Sequence, residues 1–204
     1  RGVRIGAVDC ARAADLIGRN KGGKAFLTLD ASERVLPPVA VGPAHTQVAC
    51  LAGDGRLLVF ALALLANLNV RHFAVQAMVL CPTRELADQV TTEIRRLARA
   101  EENIKVVTLC GGVALRGQIA SLEHGAHIVV GTPGRIMDHL DRGNLDLAAL
   151  NTLVLDEADR MLDMGFFDDI AKVARQCPPT RQTLLFSATY PDGIAKLSQQ
   201  FMKN

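Results

Sequence analysis

Five short apolar runs constrain this chain more than any other feature: "AMVLC" (77–81), "KVVTLC" (105–110), "HIVVG" (127–131), "NTLVLD" (151–156) and "TLLFS" (183–187). Each is too short for a helix, and its apolar residues are consecutive rather than alternate. Such strands are buried on both faces, as in a parallel sheet covered by helices on either side. The stretches between them supply helices. In "RELADQVTTEIRRLARA" the residues Leu86, Val90, Ile94 and Leu97 recur at helical spacing. A helix through Leu140 follows "TPGR", another follows "DEAD", and a last one follows "ATYPDG". "FALALLANL" (60–68) reads as the helix ahead of the first run. The expected fold class is α/β, a doubly wound parallel sheet. With 204 residues, 49% of them apolar, the chain can bury a real core and is too apolar to be disordered.

In open parallel sheets, ligands bind beyond the carboxyl ends of the strands, where helix N-termini also point. Here those ends carry "PTRELA", "GG", "TPGR", "DEAD" and "SAT". Asp156, Glu157 and Asp159 bring three carboxylates to the end of an apolar strand. They either cap and solvate a helix start, or hold Mg²⁺ against nucleotide phosphates while a neighbouring carboxylate activates water. "TPGR" is a turn and helix start in the plain reading. In the functional one, helix amides, the Thr132 hydroxyl and the Arg135 guanidinium grip nucleic-acid phosphates, with Pro133 and Gly134 shaping the corner. Pro82, Thr83 and Arg84 offer the same kit, and Gly111 and Gly112 lie between the two in sequence. Ser187 and Thr189 by themselves are uninformative.

A sixth stretch, "CLAGDGRLLVF" (50–60), has the outline of a phosphate-binding loop. Gly53 and Gly55 flank Asp54, and Arg56 occupies the place of the usual lysine. Leu57 stands where a hydroxyl would reach Mg²⁺, and Arg56 is a planar fork rather than a point charge.

Other properties narrow the class. A net charge of +2 implies no partner by itself. Five scattered cysteines without a C-x-x-C pair suggest reduced, mostly buried thiols and a cytoplasmic location. The longest apolar run, "LLVFALALLANL", is too short to span a bilayer. Residues 1–48 are basic at the start and poor in large apolar side chains, and are expected to be a partly disordered N-terminal segment. The folded domain is expected over 49–204.

Taken together, in this order and at this spacing, the motifs resemble those of the DEAD-box ATP-dependent RNA helicases. "PTRELA" is similar to motif Ia, "GG" to the glycine motif, "TPGR" to motif Ib, "DEAD" to motif II and "SAT" to motif III. "DEADRMLDMGF" and "RQTLLFSAT" extend the likeness, which covers residues from about 59 onward. The resemblance implies the first of two RecA-like (P-loop NTPase) domains, with ATP and Mg²⁺ as cofactors. It implies Asp156 on Mg²⁺, Glu157 activating water, and Gly53, Gly55 and Arg56 at the nucleotide. It implies that Asp159, Ser187 and Thr189 couple nucleotide state to RNA. It places Pro82, Thr83, Arg84, Gly111, Gly112, Thr132, Pro133, Gly134 and Arg135 on the RNA backbone, independent of base sequence. Loss of Arg84 or Arg135 is then expected to weaken binding about equally for any RNA sequence. The stretch around "VLCPTRELADQV" is most like bacterial members acting on ribosomal RNA. Because Arg56 and Leu57 depart from the family's motif I, an ATPase-inactive RNA-binding module is the alternative. A dinucleotide oxidoreductase would lack its G-x-G-x-x-G turn here.

Overall fold

The computed structural model describes residues 64–202, apart from 66 and 99–102. Five strands alternate with helices: β1 (Ala77–Leu80), α1 (Arg84–Leu97), β2 (Val106–Leu109), α2 (Leu115–Glu123), β3 (Ile128–Gly131), α3 (Pro133–Asp141), β4 (Thr152–Leu155), α4 (Ala158–Asp163), α5 (Phe167–Gln176), β5 (Gln182–Leu185) and α6 (Asp192–Phe201). All strand pairs are parallel, in the order β2-β3-β1-β4-β5. The α/β class expected from the apolar runs is the observed one. Of the segment 60–68, Leu64 and Leu65 are helical and Asn67 is already in a turn.

Strand side chains alternate faces, so each strand feeds two cores. Met78 and Leu80 of β1, Leu109, Val129, Leu153 and Leu155 pack with Ile136 and Met137 of α3, Met161 of α4, Ile170 and Val173 of α5, and Ile194 and Leu197 of α6. Ala77, Val79, Val106, Ile128, Val130 and Val154 pack on the other face, with Leu86, Ala87, Val90 and Ile94 of α1. β1, β3 and β4 are buried at every position. Continuous apolar runs are what such doubly covered strands require. β5, with a half-exposed pattern, closes one end of the described sheet.

Two close approaches fix the sheet near the carboxyl rim. A Cβ at Gly131 would lie 2.3 Å from the Leu109 carbonyl oxygen, so only glycine lets β3 end this near β2. At the opposite rim, His127 is fully buried and accepts from the Lys105 amide at Nδ1, 3.0 Å. Its Nε2 therefore carries the proton and donates to the Val70 carbonyl, 3.1 Å. Burial holds its pKa below the ordinary histidine value.

Candidate functional site

All five strands run the same way, so all five carboxyl ends share one rim. Strand order rearranges the motifs along it. In sequence, Pro82–Arg84 comes first. In space, β1 lies between β3 and β4. The rim therefore reads Gly111–Gly112, Thr132–Arg135, Pro82–Arg84, Asp156–Asp159, Ser187–Thr189. The glycine pair and the two Pro, Thr and Arg corners occupy one half. Carboxylates and hydroxyls occupy the other.

The carboxylate half begins where β4 ends. The Asp156 amide donates to the Leu80 carbonyl, 3.0 Å, so β1 sets the height of the turn. Asp156 Oδ1 accepts from the Glu157 amide, 3.1 Å. Glu157 has φ 49° and ψ 51°, the left-handed region. That conformation is costly for a non-glycine residue and is retained where the surroundings impose it. Here the Ala158 amide is tied to the Phe186 carbonyl, 2.9 Å, which drags the turn toward β5. The Glu157 carboxylate meets Arg160 Nη1 at 3.1 Å, one turn along α4.

Asp159 is the hub between β4 and β5. Its Oδ2 accepts from the Thr189 hydroxyl, 2.8 Å, and the Thr189 amide, 3.0 Å. The Ser187 hydroxyl accepts from the Asp159 amide, 3.3 Å, and donates to the Thr189 carbonyl, 2.6 Å. Burial pushes the Asp159 carboxyl up, but hydrogen bonds from Thr189, the Arg160 amide and Ser187 outweigh it, and the net is a lowered pKa. Asp159, Ser187 and Thr189 thus form one closed circuit, an arrangement that "SAT" alone does not announce.

Beside the carboxylates, Cys81 is fully buried. Burial, then the nearby Asp156 charge, push its thiol well above the ordinary range. Burial also raises Cys110 and Cys177 to about 11. These three described cysteines are free, protonated and inert.

In the other half, Thr83 caps α1 by accepting from the Leu86 amide, 3.3 Å. The Arg84 side chain is 52% exposed, with only a loose pairing to Asp88 at 3.8 Å. Its Nη1 comes within 3.6 Å of where a Gly112 Cβ would stand, so it reaches across the end of β3. Gly111 and Gly112 are exposed, and Gly112 has φ +74°. Thr132 is the N-cap of α3 but makes no side-chain cap bond. Pro82 and Pro133 are buried and shape the chain path, while Gly134 is exposed.

Arg135 differs from Arg84. Its side chain is only 16% exposed. Nη1 donates to the Val113 carbonyl, 3.1 Å, and to Gln118 Oε1, 3.0 Å. Gln118 is buried on α2 and also meets His139. Neither Gln118 nor His139 is singled out by the sequence: α2 lacks an apolar stripe and buries only Gln118, and His139 is a single polar residue on the apolar face of α3. Gly53, Gly55, Arg56 and the segment 1–48 lie outside the described residues. Among the described residues, no cluster of three His, Cys, Asp or Glu side chains could enclose a metal ion, and no helix is long and apolar enough to cross a membrane.

Comparison with known proteins gives a consistent picture. The family model for DEAD/DEAH box helicases matches residues 33–197, beginning upstream of the motif likeness that sets in near 59. The chain is 50% identical over 179 residues to the ATP-dependent RNA helicase DbpA of Escherichia coli K12, covering 88% of this chain and 39% of that one. It superimposes with a TM-score of 0.68, at 44% identity, on a DEAD box protein from the hyperthermophile Methanococcus jannaschii, covering 71% of this chain and 39% of that structure. The yeast DEAD-box splicing factor Prp28 gives a TM-score of 0.61 at 35% identity, covering 64% and 32%. The chain therefore spans less than half the length of each.

Proposed function

The chain belongs to the DEAD/DEAH box helicase family, and from that premise we propose that it is the first RecA-like domain of an ATP-dependent RNA helicase of the DbpA type. The observation that carries the reading is the closed circuit of Asp159, Ser187 and Thr189 beside the left-handed Glu157. It links the end of β4 to the end of β5, so a change at the nucleotide carboxylates is transmitted along the rim. In this proposal Glu157 orients and deprotonates the attacking water. Asp156 would hold Mg²⁺. Among the described residues no three-ligand cluster could enclose a metal ion, and one carboxylate beside phosphate oxygens would suit Mg²⁺, a cation that retains waters. Bound Mg²⁺ would supply charge neutralisation at the phosphates. Gly53, Gly55 and Arg56 would face the phosphates.

RNA would lie along the other half of the rim, on Pro82, Thr83, Arg84, Gly111, Gly112, Thr132, Pro133 and Gly134, with Arg135 holding that corner from behind through Val113 and Gln118. Contacts to phosphate and 2′-hydroxyl make that binding independent of base sequence. A second RecA-like domain would complete the cleft. Ribosomal RNA as target and a cytoplasmic site of action belong to the same proposal.

Arg56 and Leu57 favour a second reading, an RNA-binding module that does not turn over ATP. Calorimetry with Mg-ATP separates the two. The second reading expects no binding by the unaltered chain and recovery in the Arg56→Lys, Leu57→Thr variant. Binding by the unaltered chain with P-loop affinity would make Arg56 a working substitute for lysine. Failure of both proteins to bind would remove the nucleotide site from the proposal.

A further inference from the structure

Gln118 lies in α2 and is 6% exposed. Its amide nitrogen donates to the carbonyl of Cys110, 2.9 Å, the residue directly before Gly111. Its amide oxygen accepts from Arg135 Nη1, 3.0 Å, and lies 2.9 Å from His139 Nε2. Both ends of the amide are committed, which fixes its orientation: flipped, its NH₂ would oppose the guanidinium. Arg135 Nη1 also donates to the carbonyl of Val113, just past the glycine pair. The Gly111–Gly112 turn is thus held on both sides by one linked pair, at Cys110 by Gln118 and at Val113 by Arg135. The turn needs such a hold. It has no side chains of its own, Gly112 is in the left-handed region, and nothing lies within 4 Å of a Cβ at Gly111.

We propose that Gln118 is a positioning residue for RNA, a latch that locks the Gly111–Gly112 turn to the Thr132–Arg135 corner. The proposal rests on the RNA-binding reading above. Two separate groups of backbone amides must meet successive phosphates of one strand. A fixed spacing between them removes the cost of ordering the glycine turn during binding. Gln118 is buried directly behind the rim and acts through Arg135 and the Cys110 carbonyl.

His139 offers a readout that needs no RNA. It is fully buried, and its Nδ1 has no hydrogen-bond partner. The neutral form with the proton on Nε2 therefore donates to Gln118. Burial, then Arg135, hold its pKa below the ordinary histidine value. Asp138 pulls the other way, and Arg142 adds to the lowering.

The test has two arms. Imidazole titration by NMR compares the chain with Gln118→Glu. A carboxylate facing Nε2 favours the imidazolium, so the His139 midpoint should rise by about one pH unit or more. No shift would overturn the latch geometry. Fluorescence anisotropy with a labelled single-stranded oligouridylate measures RNA affinity. Gln118→Met, of similar length and without hydrogen bonds, should weaken binding about tenfold. Gln118→Glu, which keeps the acceptor for Arg135, should bind more tightly than the methionine variant. Adding Arg135→Ala to Gln118→Met should cost little more, because the two act as one unit. Additive losses would reduce Gln118 to a plain structural role. Unchanged affinity in Gln118→Met would overturn the proposal. If the unaltered chain binds no RNA, the RNA-binding reading itself fails, and the His139 titration still reports whether the latch exists.

Discussion

At the scale of single residues, Glu157 and Asp159 are held in place by opposite means. Glu157 is strained. Its left-handed backbone is imposed by the Ala158 link to Phe186, and its carboxylate pairs with the exposed Arg160. Glu157→Gly should therefore raise stability by about 0.5–1 kcal/mol in denaturant melts, after allowing for glycine's larger unfolded-state entropy. The same change removes the group proposed to activate water. A variant less stable than the parent would mean that the turn is not strained. Asp159, by contrast, is satisfied. Its folded pKa lies below the unfolded value. Such a carboxylate stabilises the fold above the unfolded pKa, near the ordinary aspartate value, and the contribution is lost as pH falls through the lowered folded value. The chain should lose stability across that acid window, and Asp159→Asn should flatten the loss. Equal acid sensitivity in urea melts of both proteins would show that the carboxylate is not so held.

At the scale of elements, the approach of β3 to β2 depends on Gly131. A methyl group there meets the Leu109 carbonyl oxygen, which also accepts from the Thr132 amide, 3.1 Å. Gly131→Ala should cost about 2 kcal/mol or more by overpacking, and amide exchange should quicken at Thr132 before it does in β4. Uniform protection would argue that the two strand ends part without consequence. The strands themselves are legible in the sequence because burial on both faces leaves consecutive apolar residues. "AMVLC", "KVVTLC", "HIVVG" and "NTLVLD" each contain the observed strand with a residue or two to spare. "TLLFS" starts one residue late and runs two past the strand, since β5 is half-exposed and its pattern weaker. The stretch after "DEAD" folds as two helices, α4 and α5, broken at Met164–Phe166, where Gly165 takes φ +84°. Most telling is α2. It buries one residue, Gln118, so no apolar period marks it, and the latch it carries has no signature in a single sequence.

At the scale of the molecule, the crossing of β1 between β3 and β4 sorts the rim into a carboxylate half, where the proposal puts nucleotide, and a glycine and arginine half, where it puts RNA. Sequence alone gives Arg84 and Arg135 the same role on RNA. The structure separates them: Arg84 is 52% exposed, while Arg135 is 16% exposed and bound to Val113 and Gln118. The chain's net charge of +2 adds no broad attractive field. Binding of a single strand should therefore release few counterions. Each neutralised phosphate contributes about 0.7 to the fall of log K with log salt, so one or two cationic contacts give a slope near −1. Arg84→Ala should remove about 0.7 of that slope, because it deletes a phosphate contact outright. Arg135→Ala should lower affinity at every salt concentration and leave the slope nearly as it was, because it loosens the glycine turn rather than removing a charge from the strand. Anisotropy of a labelled oligouridylate across a potassium chloride series measures both. If Arg135→Ala flattens the slope as much as Arg84→Ala does, Arg135 leaves its protein partners to grip phosphate directly, and the division of labour drawn from its burial is wrong.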